Sequence, residues 1–322
     1  MEAIDQLYRL SAYHPVSGLG YTCAKGGYIT TAARLYVEGI DFNLVYFPLK
    51  HLGYKAVVGV VGELYAALAH PKLLNVVLGV SAKLDFPQVQ DLWMGITVAA
   101  KEHGFEAVNL DLQPSANGLY LSLAATGETA TLTEKRRMAA GSKDLICISG
   151  ALGAAYLGLQ VLERGAKEFS EKGTQPDMSQ YKMLVGDYLR PELEASVVER
   201  LEDVEIYPSY GYFVTKGLSD ALKRLSRDSG LGAKVYADKI PFEGGSFDLG
   251  RELDMDPVSA AMNGGDDCRL LFVVPILHLE KFRREFQTFD VIGHLAQPEV
   301  GTVLVTPEGV EFPVKAQGWR EE

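Results

Sequence analysis

The sequence predicts a mixed α/β (α+β) protein built from two domains, and three observations carry that expectation. Short β-rich apolar runs alternate with longer amphipathic stretches, the pattern of strands interleaved with helices. The 322 residues are too many for one small core. A polar, basic, weakly periodic segment at residues 131–143 separates a first αβ region from a second. The expected division is therefore 1–135 and 136–322, each half an α/β domain.

Taken in order, residues 2–10 read as an opening helix. Residues 56–61 and 75–80 are short, β-branched and apolar, and read as strands. Residues 87–103 carry a helical pattern that ends at His103-Gly104, where the glycine suits a C-cap. Strands are expected at 107–112 and 119–125 and, past the boundary segment, at 144–148. A helix at 153–171, a polar loop at 173–179, and helices at 183–201 and 217–228 follow. Strands at 234–237 and 269–274, a helix at 279–286 and a strand at 291–294 lead to the close of the chain. There, 302–306 and 310–314 flank Pro307-Glu308-Gly309 and predict a β-hairpin.

Composition narrows the functional classes. A net charge of −11 argues against a dedicated nucleic-acid binder, which presents a basic face. A small phosphate-bearing ligand is compatible, because local charge can oppose global charge. The first residues, MEAIDQLYRLSAYHP, have neither the basic start nor the apolar run of a signal peptide. The longest apolar runs, 55–61 and 270–277, fall far short of a membrane span. A soluble, cytoplasmic protein is expected, with no membrane partner. Cys23, Cys147 and Cys268 form no CxxC pair, and the six histidines show no metal spacing.

Two glycine-containing stretches carry chemistry. Gly150-Ala151-Leu152-Gly153 follows an apolar strand and opens a helix, where backbone amides can hold a phosphate; a plain strand-to-helix turn has the same spacing. Gly264-Gly265-Asp266-Asp267 sets paired carboxylates beside flexible backbone just before a strand, and such carboxylates can ligate Mg²⁺ or accept from a substrate; a solvated turn is the competing reading. Asp254-Met255-Asp256 reads as a loop or cap, and Ser219-Asp220 as part of a helix face.

Several stretches in order resemble one family. They are Leu35-Tyr36-Val37-Glu38-Gly39-Ile40-Asp41-Phe42, Pro48-Leu49-Lys50-His51-Leu52-Gly53-Tyr54-Lys55-Ala56-Val57-Val58, Asp144-Leu145-Ile146-Cys147, Asn263-Gly264-Gly265-Asp266-Asp267 with Leu270-Leu271-Phe272, and Ala316-Gln317-Gly318-Trp319. From about Gly18 to Trp319 the chain resembles thiamine-monophosphate kinase, particularly the Bacteroidetes-type form. That kinase belongs with aminoimidazole-ribonucleotide synthetase and the hydrogenase maturation factor HypE. The resemblance implies a two-domain aminoimidazole-ribonucleotide-synthetase-like fold, an N-terminal nucleotide and dimerisation domain, and N-terminal strands that form a shared barrel in a dimer. It also implies ATP and Mg²⁺ as cofactors and transfer of the γ-phosphate to thiamine monophosphate, giving thiamine diphosphate.

The departures from the family pattern concern acidic positions. The Gly-x-Gly-Asp-Asp opening corresponds to Gly18-Leu19-Gly20-Tyr21-Thr22, and Thr-Thr-Asp to Ala32-Ala33-Arg34. Asn-x-Ser-Asp becomes Val60-Val61-Gly62-Glu63, Gly-Gly-Asp-Thr-Thr becomes Asn109-Leu110-Asp111-Leu112-Gln113, and Gly-Asp becomes Gly150-Ala151. Ile-Ser-Asp-Gly-Leu becomes Val214-Thr215-Lys216-Gly217-Leu218 in the gap-free register; a shifted register would use Asp220. The resemblance therefore assigns catalysis to Lys216 and Asp111, and nucleotide or phosphate binding to Arg34, Gly150, Gly153 and Arg137. It assigns substrate binding to Asp266, Asp267 and Trp319, and whatever metal binding remains to Glu63 and Asp111. Arg34, Arg137 and Lys216 are expected to converge. The expectation is a pseudoenzyme that keeps the fold, a homodimer or a heterodimer with a related subunit, and a phosphate-bearing ligand. An active kinase with a reduced metal site and a purely structural subunit are the alternatives.

Overall fold

The computed structural model describes residues 19–22, 28–173 and 176–319. The expected helix at 2–10 lies outside them, as do residues 18, 23 and 24 of the opening motif. The first half contains β1 (Leu19–Thr22), β2 (Tyr28–Val37), α1 (Leu49–Ala66), β3 (His70–Ser81), α2 (Phe86–Glu102), β4 (Ala107–Ser115), β5 (Tyr120–Thr129) and α3 (Thr131–Arg136). The second contains β6 (Leu145–Ile148), α4 (Ala154–Lys172), α5 (Lys182–Leu189), α6 (Val197–Asp203), β7 (Tyr210–Val214), α7 (Leu218–Ser229), β8 (Gly232–Tyr236), α8 (Ser246–Leu253), α9 (Pro257–Asn263), β9 (Arg269–Val274), α10 (Leu279–Glu285), β10 (Asp290–Ala296), β11 (Thr302–Val305) and β12 (Glu311–Pro313).

Two sheets result, with orders β1-β2-β5-β3-β4 and β12-β11-β8-β10-β6-β9-β7. Only β3–β4 and β8–β11 are parallel pairs; the other pairs are antiparallel. The first sheet is one-sided. Inward residues such as Tyr36, Val76, Leu78, Leu121 and Leu123 are buried, while alternate outward residues are open. The second sheet is buried on both faces. Leu270, Phe272 and Val274 enter one core and Leu271 and Val273 the other, so β9 reads as an unbroken apolar run.

The expected strand at 56–61 is instead the middle of α1, which is buried without interruption from Leu52 to Gly62. A short apolar run buried on all sides carries no periodicity to separate strand from helix. Here α1 packs against β2 and β5 of the first sheet and β7 and β9 of the second, so apolar residues spread round the helix and not along one stripe. Two glycines permit that fit. A Cβ on Gly59 would meet Tyr36 Oη at 1.9 Å, and one on Gly62 would meet the Phe213 ring at 2.2 Å.

The expected helix at 183–201 is two helices, α5 and α6, because Pro191 follows directly on the C-cap Arg190. Residues 131–136, expected as loop, form the short α3. Strands β2 and β7 and helices α8 and α9 were not anticipated. The closing hairpin is present as β11–β12.

Helix α2 is fixed at both ends. Asp85 and Gln88 form a capping box at its start, and His103 is its C-cap. His103 Nδ1 meets Tyr65 Oη of α1 at 3.1 Å, while Nε2 has no partner. Burial pushes the imidazole down to about 4. The unfolded chain protonates this group near pH ~6.5, so its stabilising contribution is present above that pH and is lost as pH falls toward ~4. Across that window the loss approaches about 3 kcal/mol. Denaturant unfolding between these pH values should show a shallower stability decline for His103→Gln than for wild type; equal slopes would remove His103 as the cause.

Candidate functional site

The loop between α9 and β9 is strained. Asp266 and Cys268 have φ of 62° and 54°, left-handed values that cost side-chain-bearing residues about 1–3 kcal/mol each. The Asp266 N–H donates to the Thr215 carbonyl at 2.9 Å, and the Leu270 N–H to Ser149 Oγ at 2.8 Å. Asp266 Oδ1 accepts from Arg34 Nη2 of β2 at 3.2 Å, and Oδ2 from Lys55 Nζ of α1 at 3.0 Å. Lys55, only 3% exposed, also donates to the Tyr188 carbonyl at 2.8 Å. Its ammonium stands 3.7 Å from the Tyr188 ring centre and 5.5 Å from that of Phe47. Burial works to raise the Asp266 carboxyl, but Lys55 and Arg34 outweigh it and hold the group below the usual carboxylate range.

Asp267 turns the other way. It accepts from the backbone N–H groups of Gly153 at 3.0 Å and Ala155 at 3.3 Å, closing the N-terminus of α4. Burial raises its carboxyl to about 7 against the pull of those amides. The Gly153 amide expected to hold a phosphate is therefore engaged by an internal carboxylate. Gly150 lies against the Arg269 guanidinium, which donates to the Ala151 carbonyl at 3.1 Å.

Lys216 follows β7 and is exposed at a cavity of about 410 Å³, whose lining includes Tyr156, Tyr188, Asn263, Asp266 and Gln317. Glu63 of α1 is close by. Burial raises its carboxyl, with Arg224, Arg34 and Lys216 opposing and Asp220 reinforcing the shift. Asp220 Oδ1 accepts from Trp319 Nε1 at 2.9 Å. Asp220 Oδ2 lies 3.1 Å from Arg224 Nε, within ion-pair distance but not aligned as a hydrogen bond. Arg34, Glu63, Lys216, Asp266 and Trp319 thus share one cleft region.

Two expected members are elsewhere in the chain. Arg137 donates to the Pro208 carbonyl at 3.3 Å and pairs with Glu134 at 3.1 Å, before β7 begins. Lys216 follows the other end of that five-residue strand, roughly 17 Å along it, so Arg137 does not converge with Arg34 and Lys216. Asp111 is on the exposed edge strand β4 and accepts from Gln113 Nε2 at 2.9 Å. Its register with Val77 and Ser122 puts it on the outward face of the sheet, whereas Arg34 shares the inward face with Leu123. Within one chain it reaches neither Lys216 nor Glu63. Of the 18–24 motif, 19–22 form β1.

Lys55 stands in a stretch that carries the resemblance, yet the resemblance assigns it no role. A lone lysine in an otherwise apolar stretch was the available signal, since buried ammonium requires a partner.

No protein-family model matches the chain. Thiamine-monophosphate kinase of Aquifex aeolicus is 24% identical over 298 residues, covering 92% of this chain and 89% of that protein. The Bacillus subtilis thiamine-monophosphate kinase is 22% identical over 303 residues, covering 93% and 90%. The solved Aquifex aeolicus kinase has a TM-score of 0.80 at 20% identity, covering 97% of this chain and 98% of that one. The structure of AaThiL complexed with AMPPCP and TMP has a TM-score of 0.78 at 20% identity, covering 96% and 95%. HypE of E. coli, a hydrogenase maturation protein, has a TM-score of 0.68 at 15% identity, covering 98% and 96%. The chain has thiamine-monophosphate kinases among its homologues and shares the fold of these kinases and of HypE.

Lys55→Met leaves Asp266 paired with Arg34 but takes away the partner of its Oδ2, so it should cost about 1–3 kcal/mol in urea unfolding. The double mutant with Asp266→Asn should recover more than about 1 kcal/mol of coupling. Additive losses would mean that the pair does not hold the loop.

Proposed function

We propose that this homologue of the thiamine-monophosphate kinases binds a phosphate-bearing ligand through its own cations, without a divalent metal, and transfers phosphate slowly or not at all. The Arg34–Asp266–Lys55 clasp carries the reading. Arg34 occupies a position where the resemblance aligns an aspartate, and its guanidinium binds the Asp266 carboxylate, to which the resemblance assigns substrate binding. Mg²⁺ needs hard oxygen ligands in near-octahedral order. Both oxygens of Asp266 already accept from cations, and Glu63 lies in the field of Arg224, Arg34 and Lys216. Among the described residues, no three His, Cys, Asp or Glu side chains form a group able to hold a metal. The residues present therefore do not suit the family's metal cluster.

The cleft suits an anion with a ring. No hydrogen bond or ion pair engages Lys216 among the described residues, so its ammonium is available at the cavity. An ammonium about 4 Å from a phosphate oxygen contributes roughly 4 kcal/mol at an effective dielectric near 20. Tyr156, Leu159 and Tyr188 supply an apolar wall to the same cavity. The AMPPCP and TMP bound to AaThiL make ATP and thiamine monophosphate the first probes. Glu63 favours the second reading, an active kinase with a reduced metal site, because it keeps one carboxylate in the cleft.

The partner we propose is a second copy of the chain, seated on the outward face of the first sheet. Leu35, Leu73 and Val77 stand 55%, 47% and 41% exposed there, with small Ala33 and Ala124 between them. No helix is long and apolar enough to cross a membrane among the described residues; cytoplasmic residence belongs to the same proposal.

Calorimetry in EDTA should detect binding of ATP or thiamine monophosphate by wild type, and Lys216→Asp, which reverses the local charge from positive to negative at short range, should weaken it at least ~10-fold. Binding that requires Mg²⁺, or is unchanged in Lys216→Asp, overturns the reading. Turnover on thiamine monophosphate at roughly 1 s⁻¹ or above, an ordinary enzyme rate, promotes the active kinase. Binding of neither probe favours the structural subunit. Light scattering at micromolar concentration should give a dimer, and Val77→Asp should dissociate it; a wild-type monomer removes the self-association proposal.

A further inference from the structure

We infer that Asp220 is a positioning residue for the Lys216 cavity: it latches a C-terminal strap, residues 314–319, that forms one wall of the cavity and opens to admit ligand. The inference rests on the cavity being the ligand site. The strap starts in the second core, where Val314 is buried and its N–H donates to the Thr302 carbonyl at 2.9 Å. It ends in a turn closed by the Trp319 N–H on the Ala316 carbonyl at 3.2 Å, with Gly318 at φ 79°. Between these ends, Gln317 and Gly318 line the cavity opposite Lys216 and Asp266, and both are exposed. Among the described residues, no hydrogen bond ties either of the two to the body of the protein.

The side-chain anchor of the far end is Trp319. Its indole N–H donates to Asp220 Oδ1 at 2.9 Å, and the Arg227 guanidinium stands 5.5 Å from the indole centre. Asp220 belongs to a helix. It is buried in the first turn of α7, with Arg224 beside its second oxygen. A hydrogen bond to a buried acceptor is costly to leave unmade, which makes it an effective single contact for a tail. The same helix begins two residues after Lys216, so the latch and the ligand cation stand near one helix end. The strap therefore controls how readily a ligand leaves Lys216, while contributing no charge of its own to that ligand at Gln317 or Gly318.

The chain has two tryptophans, so Trp93→Phe leaves Trp319 as the sole emitter. In that background, Asp220→Ala should raise iodide quenching of Trp319 at least threefold without ligand. It should also speed dissociation of a fluorescent ATP, chased with unlabelled ATP in EDTA, about tenfold, the equivalent of one hydrogen bond. Asp220→Asn keeps an acceptor oxygen and should restore both readouts to near the parent. Trp319→Phe keeps the ring but loses the donor, and should dissociate the nucleotide as fast as Asp220→Ala while leaving α7 intact. Nucleotide binding with quenching unchanged in Asp220→Ala, and with dissociation unchanged in both Asp220→Ala and Trp319→Phe, overturns the latch and leaves the cavity reading standing. Failure of the parent to bind the nucleotide overturns the cavity reading, and the latch with it. Faster dissociation in Asp220→Asn equal to that in Asp220→Ala overturns the hydrogen bond as the cause.

Discussion

Helix α1 is confined between two sheets, and that confinement dictates how the cleft is built. From Leu52 to Gly62 no residue of the helix reaches solvent, so a charge within that stretch must find its counter-charge inside the protein. Lys55 is that charge. Its ammonium fixes Asp266, Asp266 fixes Arg34, and the three together hold the left-handed turn before β9. The position of Asp266 in turn defines one side of the cavity that Lys216 and Gln317 complete. The glycine contacts at Tyr36 and Phe213 belong to the same arrangement, because they let the sheets close on the helix at the distance this clasp requires.

Much of the layering was legible in the residues, for identifiable reasons. Strands β3 and β5 declare themselves as short apolar segments, β9 as an unbroken apolar run, and β11–β12 through a turn between two short runs. Helix α1 was misread because its surroundings are apolar on every side, which erases the 3.6-residue signal. β2 was missed because its inward face carries Ala32 and Arg34 beside Tyr36, a composition set by the cleft and not by a core. In the site, motif order located Arg34, Glu63, Lys216 and Asp266. It said nothing of the indole that reaches Asp220 across 99 positions, because that contact depends on where the tail lands. Asp111 and Arg137 were assigned from motifs alone, and strand register and chain path carry them away from the cleft.

Two ways of holding a phosphate differ in what they demand of the protein. A metal-dependent cleft gathers carboxylates that repel the ligand until the metal arrives. A cleft furnished with guanidinium and ammonium groups carries its positive charge permanently, and the protein must balance that charge when the ligand is away. Glu63, Asp220 and Asp266 supply such a balance for Arg34, Lys55, Lys216 and Arg224. The helix-end anion site at α4 follows the same economy, since Asp267 fills it from within.

Because α1 packs on both sheets at once, the two halves of the chain cannot melt as separate cooperative units. A fragment ending near residue 135 would keep the first sheet but strip α1 of Phe213 and Phe272, and would strand Lys55 without Asp266. Amide hydrogens in the middle of α1 should then exchange only through global unfolding, and at the same free energy as those of β9. The seam that divides this chain by sequence is thus not a seam along which it comes apart.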